Sequence, residues 1–428
     1  MTDVRHRLIF LTLALLSWNI WAQPTKHQIT RSLHKAALHL LHREAISGGY
    51  TATKDHTNTI STAITAQLGQ ALLDAHQASP SDVFLNAAKA AGQALLLGQL
   101  ESGGWQDEFS LIKKERKKKH YRLTLTKHPR RFQDLALLRS PTEGWHDWRL
   151  GKFSFNKTVL TGITNLAPTQ QALLFLIRLD RELRFEDQLL HLHVGQGLKS
   201  LLNAQYPNGA WSPHYDRFPS IRPELNEYLD LKAKISTDSK KEPSQGIESC
   251  YSLQKGTHSQ LIDVMIAAYD AYGIDAYRDS YLLAGHFLTQ SHLRSPKAGW
   301  STGYNELMHP DPQPDESYID DKASIDSANS LLKLHSVTKD KQWLAPIPST
   351  MARLKKSTDA ETRDAAESLE TAFMAAMASK PSPMNEVPQA TIASLIAGQD
   401  SSTGAWPSDY LETAKIIRSL AAYLKTQP

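Results

Sequence analysis

A short phrase returns four times along the chain, each time closing an apolar helical stretch. The copies are Gln99-Leu-Glu-Ser-Gly-Gly-Trp105, Gln205-Tyr-Pro-Asn-Gly-Ala-Trp211, Gln290 through Gly299-Trp300, and Gln399 through Gly404-Ala-Trp406. An aromatic residue stands four positions after each tryptophan, at Phe109, Tyr215, Tyr304 and Tyr410. Ser47-Gly48-Gly49-Tyr50 is a looser fifth copy. Such repetition constrains the fold more than any single motif, because a repeat unit buries its apolar face only against its neighbours. It predicts a ring or stack of helix pairs with a marked turn at one end.

Helical periodicity dominates the rest of the chain and strand alternation does not emerge. Helices are expected at 29–46, 61–77, 81–99, 168–184, 189–205, 257–273, 276–291, 324–338, 342–357, 359–378, 387–399 and 409–426. Ala172, Leu173, Phe175, Leu176, Ile177, Leu179 and Leu183 give one of them the broad apolar face of a largely buried helix. The fold class read from this pattern is all-α: an α/α toroid, an incomplete barrel of about six helix hairpins. The repeated turn closes alternate helices, so all five copies are expected on one rim. Glycine suits these points because helix C-termini commonly need a left-handed residue. The glutamine is placed to bond exposed carbonyls of the last turn. Long irregular segments, 100–167, 206–256 and 292–323, fall on the same rim, where loops of that length are usually functional.

Residues 1–22 stand apart from this pattern. Arg5 and Arg7 precede the apolar run Leu8–Leu16, and Ala22 offers a small residue for cleavage. That order reads as a secretory signal, and the run is short for a bilayer span. The expectation is a signal peptide at 1–22 and a single domain at 23–428. The mature protein is then secreted or periplasmic, with no stable membrane span. Cys250 is the one cysteine, so an internal disulfide is excluded. The formal net charge is only +4. Even so, Lys113, Lys114, Arg116, Lys117, Lys118, Lys119, Arg122, Lys127, Arg130 and Arg131 crowd one stretch, opposed by Glu115 alone. A block of this kind is either a solvated loop face or an attractor of polyanions. Nucleic acid is not expected as a partner, since no nucleic-acid-binding motif is present.

The tryptophans allow two readings: plugs for helix ends, or platforms that stack on sugar rings. Residues just after them are better placed to reach a ligand. The substrate-binding candidates are Trp105, Trp211, His214, Tyr215, Arg217, Trp300, Tyr304 and His309, with Asp216, Asn305 and Glu306 beside them. No His-Glu-x-x-His, nucleophile elbow, phosphate loop or Cys/His zinc spacing is present. His191 and His193 point to different faces of one helix, which argues against a shared metal. Paired carboxylates for glycoside hydrolysis stay open, since they can come from loops distant in sequence.

Two families share the glutamine–glycine–tryptophan phrase. The Trp105 and Trp211 copies match the Gln-x-x-x-Gly-x-Trp repeat of triterpene cyclases. The Asp-rich motif of those enzymes is missing, and Asp320-Asp321 is the nearest pair. A closer resemblance is to family-10 polysaccharide lyases, the pectic-acid lyases. It rests on Ser47–Tyr50, Gly98–Trp105, Thr169–Asp180, Ala204–Trp211, Gly299-Trp300, Tyr304-Asn305, Met308-His309-Pro310, Leu344–Pro348 and Leu354–Ser357, across roughly residues 30–357.

The resemblance implies a toroid with an acidic-sugar groove on one rim. It also implies an exported protein that acts on or binds an anionic, uronic-acid polysaccharide such as polygalacturonate. If active, the family's chemistry is β-elimination by an arginine base with Ca²⁺ held by aspartates. This chain departs from that pattern at each catalytic position. It reads Thr164-Asn-Leu-Ala-Pro168, Leu253-Gln-Lys-Gly-Thr257 and Asp311-Pro-Gln-Pro-Asp-Glu316 where the family has its aspartates and arginine. No catalytic residue or calcium ligand carries over, and no cofactor is evident. Lys255 and His258 are the substitutes to weigh as bases, and Asp315, Glu316, Asp320 and Asp321 as cation ligands. A non-catalytic carbohydrate-binding toroid and a toroid glycoside hydrolase using loop carboxylates remain as alternatives.

Overall fold

The apolar periodicity does become helix, with most boundaries within a few residues of those expected. The structure is a computed structural model, and it describes residues 24–42, 47–52, 58–100, 103–112, 166–211, 231–235, 251–294, 297–305, 307–311, 318–378, 389–406 and 410–426. Among the described residues there are twelve α-helices. They are α1 (Lys26–His42), α2 (Thr62–Ala78), α3 (Asp82–Gly98), α4 (Leu166–Glu182), α5 (Gln188–Ala204) and α6 (Thr257–Tyr272). They continue with α7 (Asp275–Ser291), α8 (Asp321–Thr338), α9 (Ile347–Leu354), α10 (Ala360–Met377), α11 (Gln389–Ala397) and α12 (Tyr410–Thr426). The all-α class therefore holds. None of these helices is long and apolar enough to cross a membrane.

Capping explains several boundaries. Asp187, Asp320 and Asp359 accept a backbone N–H from the first turn of α5, α8 and α10, an arrangement typically worth about 1 kcal/mol each. Gly273 ends α6 in the left-handed conformation. The stretch expected as one helix at 342–357 is split into a 3-10 turn, Lys341–Leu344, and α9. Pro346, with no N–H to continue the ladder, stands at the break.

The sequence pattern missed two short antiparallel ribbons. β1 (Thr59–Ser61) pairs with β2 (Glu108–Ser110), with Ile60 opposite Phe109. β3 (Tyr251–Ser252) pairs with β4 (Gly303–Tyr304). Strands of two or three residues are too short to show alternation. β1 runs directly into α2, so this ribbon sits at the N-terminal end of that helix.

The chain divides into two compact units: Met1–Glu44 with Gln70–Ala87 and Asn385–Pro428, and Ala45–Gly69 with Ala88–Met384. In the first, α1 and α12 pack face to face. Ile29, Leu33, Ala36, Ala37 and Leu40 are buried on one side, and Ile417, Leu420 and Ala421 on the other. In the second, α6 packs on both α4 and α7, and α8 on α10. Phe175, Leu176, Leu261, Val264, Met265, Phe287 and Leu331 lie in its core at 0–1% exposure. Full burial of each such side chain contributes roughly 1.5–3 kcal/mol.

Residues 1–22, the basic stretch 113–131, Cys250, His214, Tyr215, Asp216, Arg217, Glu306, Asp315 and Glu316 lie outside the described residues, as does the Lys255 side chain.

Candidate functional site

The repeated turn is a joint built the same way each time. Trp105 Nε1 donates to the Leu95 carbonyl at 2.8 Å, Trp211 to Leu201 at 2.9 Å, Trp300 to Leu288 at 2.7 Å and Trp406 to Leu395 at 2.7 Å. Each indole thus folds back over its own helix end and satisfies an orphan carbonyl there. Trp105, Trp211, Trp300 and Tyr304 are 0–1% exposed. The Tyr304 hydroxyl donates to the Ser291 carbonyl at 2.7 Å and accepts from the Ser301 N–H at 2.8 Å. A ring buried this completely has no face left for a sugar. These four substrate-binding candidates are helix-end plugs, because the indole and phenol polar atoms find their partners inside the protein.

The glutamine makes three bonds. Gln99 Nε2 donates to the Gly103 carbonyl and to the His193 carbonyl, both at 2.9 Å, while its Oε1 accepts from His193 Nδ1–H at 2.5 Å. Gln205 does the same to Gly209 and Ser280, and Gln399 to Gly404 and Ser32. One residue of another helix, His193, Ser280 or Ser32, therefore receives and gives a bond to each amide. Three residues further along that helix, the turn's glycine rides over a backbone carbonyl. A Cβ on Gly103 would lie 2.7 Å from Gln196 O, and on Gly209 2.1 Å from Leu283 O. Both glycines have φ above +90°. The side-chain-free backbone is what allows the approach.

In the third copy the partner of the turn is not Gln290. Trp300 bonds Leu288, and the residue four on from that leucine, where the other copies have glutamine, is His292. His292 Nε2–H donates to Thr350 Oγ1 at 3.1 Å, since the Thr350 hydroxyl itself donates to Pro346 O. Burial, followed by the Arg294 and Arg353 charges, pushes the imidazole down to about 4, so it is neutral at pH 7. Arg353 Nε donates to the Ala298 carbonyl at 2.6 Å, and the same guanidinium pairs with Asp321.

These turns fix the first residues of α2, α4 and α8. Tyr50, Trp105 and Trp300 donate their backbone N–H groups to Thr65 Oγ1, Thr169 Oγ1 and Ser324 Oγ, at 3.0, 2.9 and 3.0 Å. Each hydroxyl is on the fourth residue of its helix, α2, α4 and α8. Two positions on, rotated by about 200°, a side chain faces away from the turn. Those positions hold Gln67, Gln171 and Asp326, all half-buried.

A polar seam links these helix ends within the second unit. Gln67 Nε2 donates to Gln171 Oε1 at 3.1 Å, joining α2 and α4. Gln170 Nε2 donates to the Thr257 carbonyl at 2.7 Å, joining α4 and α6. Ser259 Oγ donates to the Asp326 main-chain carbonyl at 3.0 Å, joining α6 and α8. The Gln170 Oε1 is buried without a partner. Gly256, left-handed at φ +67°, lies between Asp326 and Gln260: a Cβ there would be 3.2 Å from Asp326 Oδ2 and 3.6 Å from Gln260 Nε2.

Asp326 is the ionisable member of this seam. Burial raises its carboxyl above the ordinary carboxylate range, the Asp320 charge adds to this, and Lys322 opposes it. A half-buried carboxyl whose proton affinity is raised in this way is suited to general-acid work.

The other residues singled out from sequence are less available. His258 is buried between Trp211 and Phe287, with Nε2 3.3 Å from Ala284 O. Burial pushes it down to about 4, and it does not face solvent as a base. Asp320 caps α8 and Asp321 pairs with Arg353, so both carboxylates are engaged. His309 is held by its backbone: Asn305 Oδ1 accepts its N–H at 3.0 Å. Among the described residues no group of three or more His, Cys, Asp or Glu side chains converges as a metal site. The seam itself, Gln67, Gln171, Gln260 and Asp326, escaped the sequence reading. Its signal was a Ser or Thr at the fourth position of a helix that follows a turn.

No family model matches the chain, and no curated protein matches it. Among solved structures, an inactive variant of the α-1,6-mannanase GH76A of Salegentibacter sp. HEL1_6, in complex with α-1,6-mannotriose, is similar with a TM-score of 0.47 and 7% identity. The match covers 93% of this chain and 100% of that one. These findings correct the resemblance to family-10 polysaccharide lyases. No family model and no curated protein of that family matches the chain.

Proposed function

We propose that this chain is a carbohydrate-active protein that hydrolyses a glycosidic bond at the seam formed by the N-terminal ends of α2, α4, α6 and α8. Asp326 acts as the proton donor. The observation that carries this reading is a half-buried carboxyl whose proton affinity is raised by burial, set across Gly256 from the Gln260 amide. In hydrolysis the Asp326 proton passes to the departing glycosidic oxygen. Water adds at the anomeric carbon and gives up a proton to a second carboxylate. Export through residues 1–22 is part of the proposal, tested by N-terminal sequencing of the protein recovered outside the cytoplasm.

The test is release of new reducing ends from a panel of polysaccharides by the wild-type chain and by Asp326→Asn. Loss of roughly a hundredfold or more in the variant is expected for a general acid. Equal activity in the two proteins, or no reducing ends from any substrate, would overturn the catalytic reading. The second reading is a non-catalytic carbohydrate-binding protein. In its favour, the other acidic side chains at these helix ends are engaged: Asp320 with the Ala323 N–H, Asp321 with Arg353 and Asp263 with Lys333. Glycan binding without turnover is its signature.

A further inference from the structure

At the C-terminal ends of α4 and α6, away from the seam, Asp180 gathers three helices around one oxygen. It lies in the last turn of α4 and is fully buried. Its Oδ2 accepts from His191 Nδ1–H of α5 and from the Tyr272 hydroxyl at the end of α6, both at 2.8 Å. Its Oδ1 is buried without a partner. Two donors on one oxygen leave a buried carboxylate under-satisfied, so a positive charge on His191 stabilises it. The His191 side chain is 42% exposed, and its proton can exchange with solvent.

The chain then turns in a way that residues with side chains rarely adopt. Arg184 and Phe185 both have left-handed backbones, at φ +54° and +62°. Glycine is the usual occupant of such a helix end, and a β-carbon there stores strain. The Phe185 N–H closes the turn on the Asp180 carbonyl at 2.9 Å, and the Arg184 N–H on the Arg181 carbonyl at 3.0 Å. The Phe185 ring packs against the same cluster, its centroid 6.1 Å from the His191 ring and 5.6 Å from the Tyr272 ring. Asp180 therefore holds the strained turn by its main chain and the three-helix contact by its side chain.

Other ionisable groups surround the cluster. α4 carries Arg178, Arg181 and Glu182, the turn carries Arg184 and Glu186, and Asp187 caps α5. Asp270 is on α6, Tyr277 of α7 acts on Tyr272, and Lys89 of α3 lines a shallow hollow with Asp187. Among the described residues, only the Asp180 charge acts on His191: the hydrogen bond to Asp180 raises its proton affinity, burial partly offsets this, and the charge adds to it.

We propose that the Arg184–Phe185 turn is a latch: protonated His191 holds it closed through Asp180, and loss of that proton lets it open so that water reaches Asp180 Oδ1. Strain in the turn favours opening, and the paired charges oppose it. Below the ordinary histidine value of 6.5 the latch is closed, and it loosens as pH rises through the raised native value. The inference is independent of the carbohydrate reading, whose residues lie toward the N-terminal ends of the helices.

Hydrogen exchange of the full chain, read by mass spectrometry at pH 5.5 and 8.5 and corrected for the intrinsic effect of pH, tests it. Protection in a peptide spanning 180–188 is expected to fall about threefold or more at the higher pH. A peptide from the core of α8 should stay constant. His191→Gln keeps a neutral donor toward Asp180 and should lose the pH dependence. Arg184→Gly leaves the cluster untouched and relieves a left-handed position. It should slow exchange at pH 8.5, and it keeps the test open if His191→Gln fails to fold.

Turn exchange that does not change with pH, or the same pH dependence in His191→Gln, would overturn the latch. So would an equal rise across every peptide, or Arg184→Gly exchanging as fast as wild type at pH 8.5.

Discussion

Asp180 shows what one residue demands of its surroundings. It has 0% exposure, and both His191 Nδ1–H and the Tyr272 hydroxyl donate to its Oδ2 at 2.8 Å, while Oδ1 is buried without a partner. Burial, and then the Asp180 charge, pushes the Tyr272 phenol far up. The hydrogen bond to Asp180 raises His191 above its ordinary value of 6.5, and burial partly offsets this. The contribution of His191 to stability is therefore complete below that ordinary value. It is lost as pH rises through the raised native value. The difference in urea midpoint between wild type and His191→Gln should be larger at pH 5.5 than at pH 8.5, and a constant difference would refute the linkage. Tyr272→Phe removes a hydrogen bond to a buried carboxylate and should cost about 1.5–3 kcal/mol in the same assay. Sequence reading saw in His191 and His193 only two histidines on different faces. The structure gives each a separate task, one at Asp180 and one in the Gln99 joint. Nothing local in sequence announces a partner 94 residues away.

At the scale of elements, the turn is more specific than its helices. Gly209→Ala would place a methyl 2.1 Å from Leu283 O at a φ of +92°. The left-handed strain alone is about 1–3 kcal/mol, and the clash adds to it. A marked fall in unfolding temperature is expected, and an unchanged one would show that α7 gives way without cost. Gln205→Ala removes three bonds and leaves the Ser280 carbonyl without its side-chain donor. A loss of roughly 2–4 kcal/mol is expected by chemical denaturation. Helix bounds were legible because apolar residues at a 3.6 period are a strong local signal, good to within a few residues throughout. Pro346 was visible in sequence as a breaker, yet periodicity carried across it. His292 was hidden because histidine does not look like glutamine; only the distance from the indole to Leu288 reveals that it fills the same place. Asp326, Gln67 and Gln171 were hidden for another reason. Their common position is defined by which hydroxyl clamps which turn, and that is a relation between elements.

On the scale of the whole chain, its ends belong together. Met1–Glu44 and Asn385–Pro428 share one compact unit. In it Gln399 bonds Ser32, and Gly404 lies over Lys35. A chain stopped at residue 384 would leave the α1 residues Ile29, Leu33, Ala36 and Leu40 without α12. Chromatography of that truncation should show association or loss of soluble protein, whereas a soluble monomer with native helicity would show that α1 is stable without its partner.

Each of the three glutamine joints touches another helix at two points three residues apart, once through the glutamine and once through the glycine. Inserting a single residue between those points would turn the second by about 100° and break the match. Helix length between the contacts is therefore frozen, and lengthening by this route has to come as whole hairpins. The span from Trp406 to the start of α12 at Tyr410 lies outside those two contacts. A change confined to a connecting span leaves both contacts of a joint in register, so the frame is undisturbed by what the span carries.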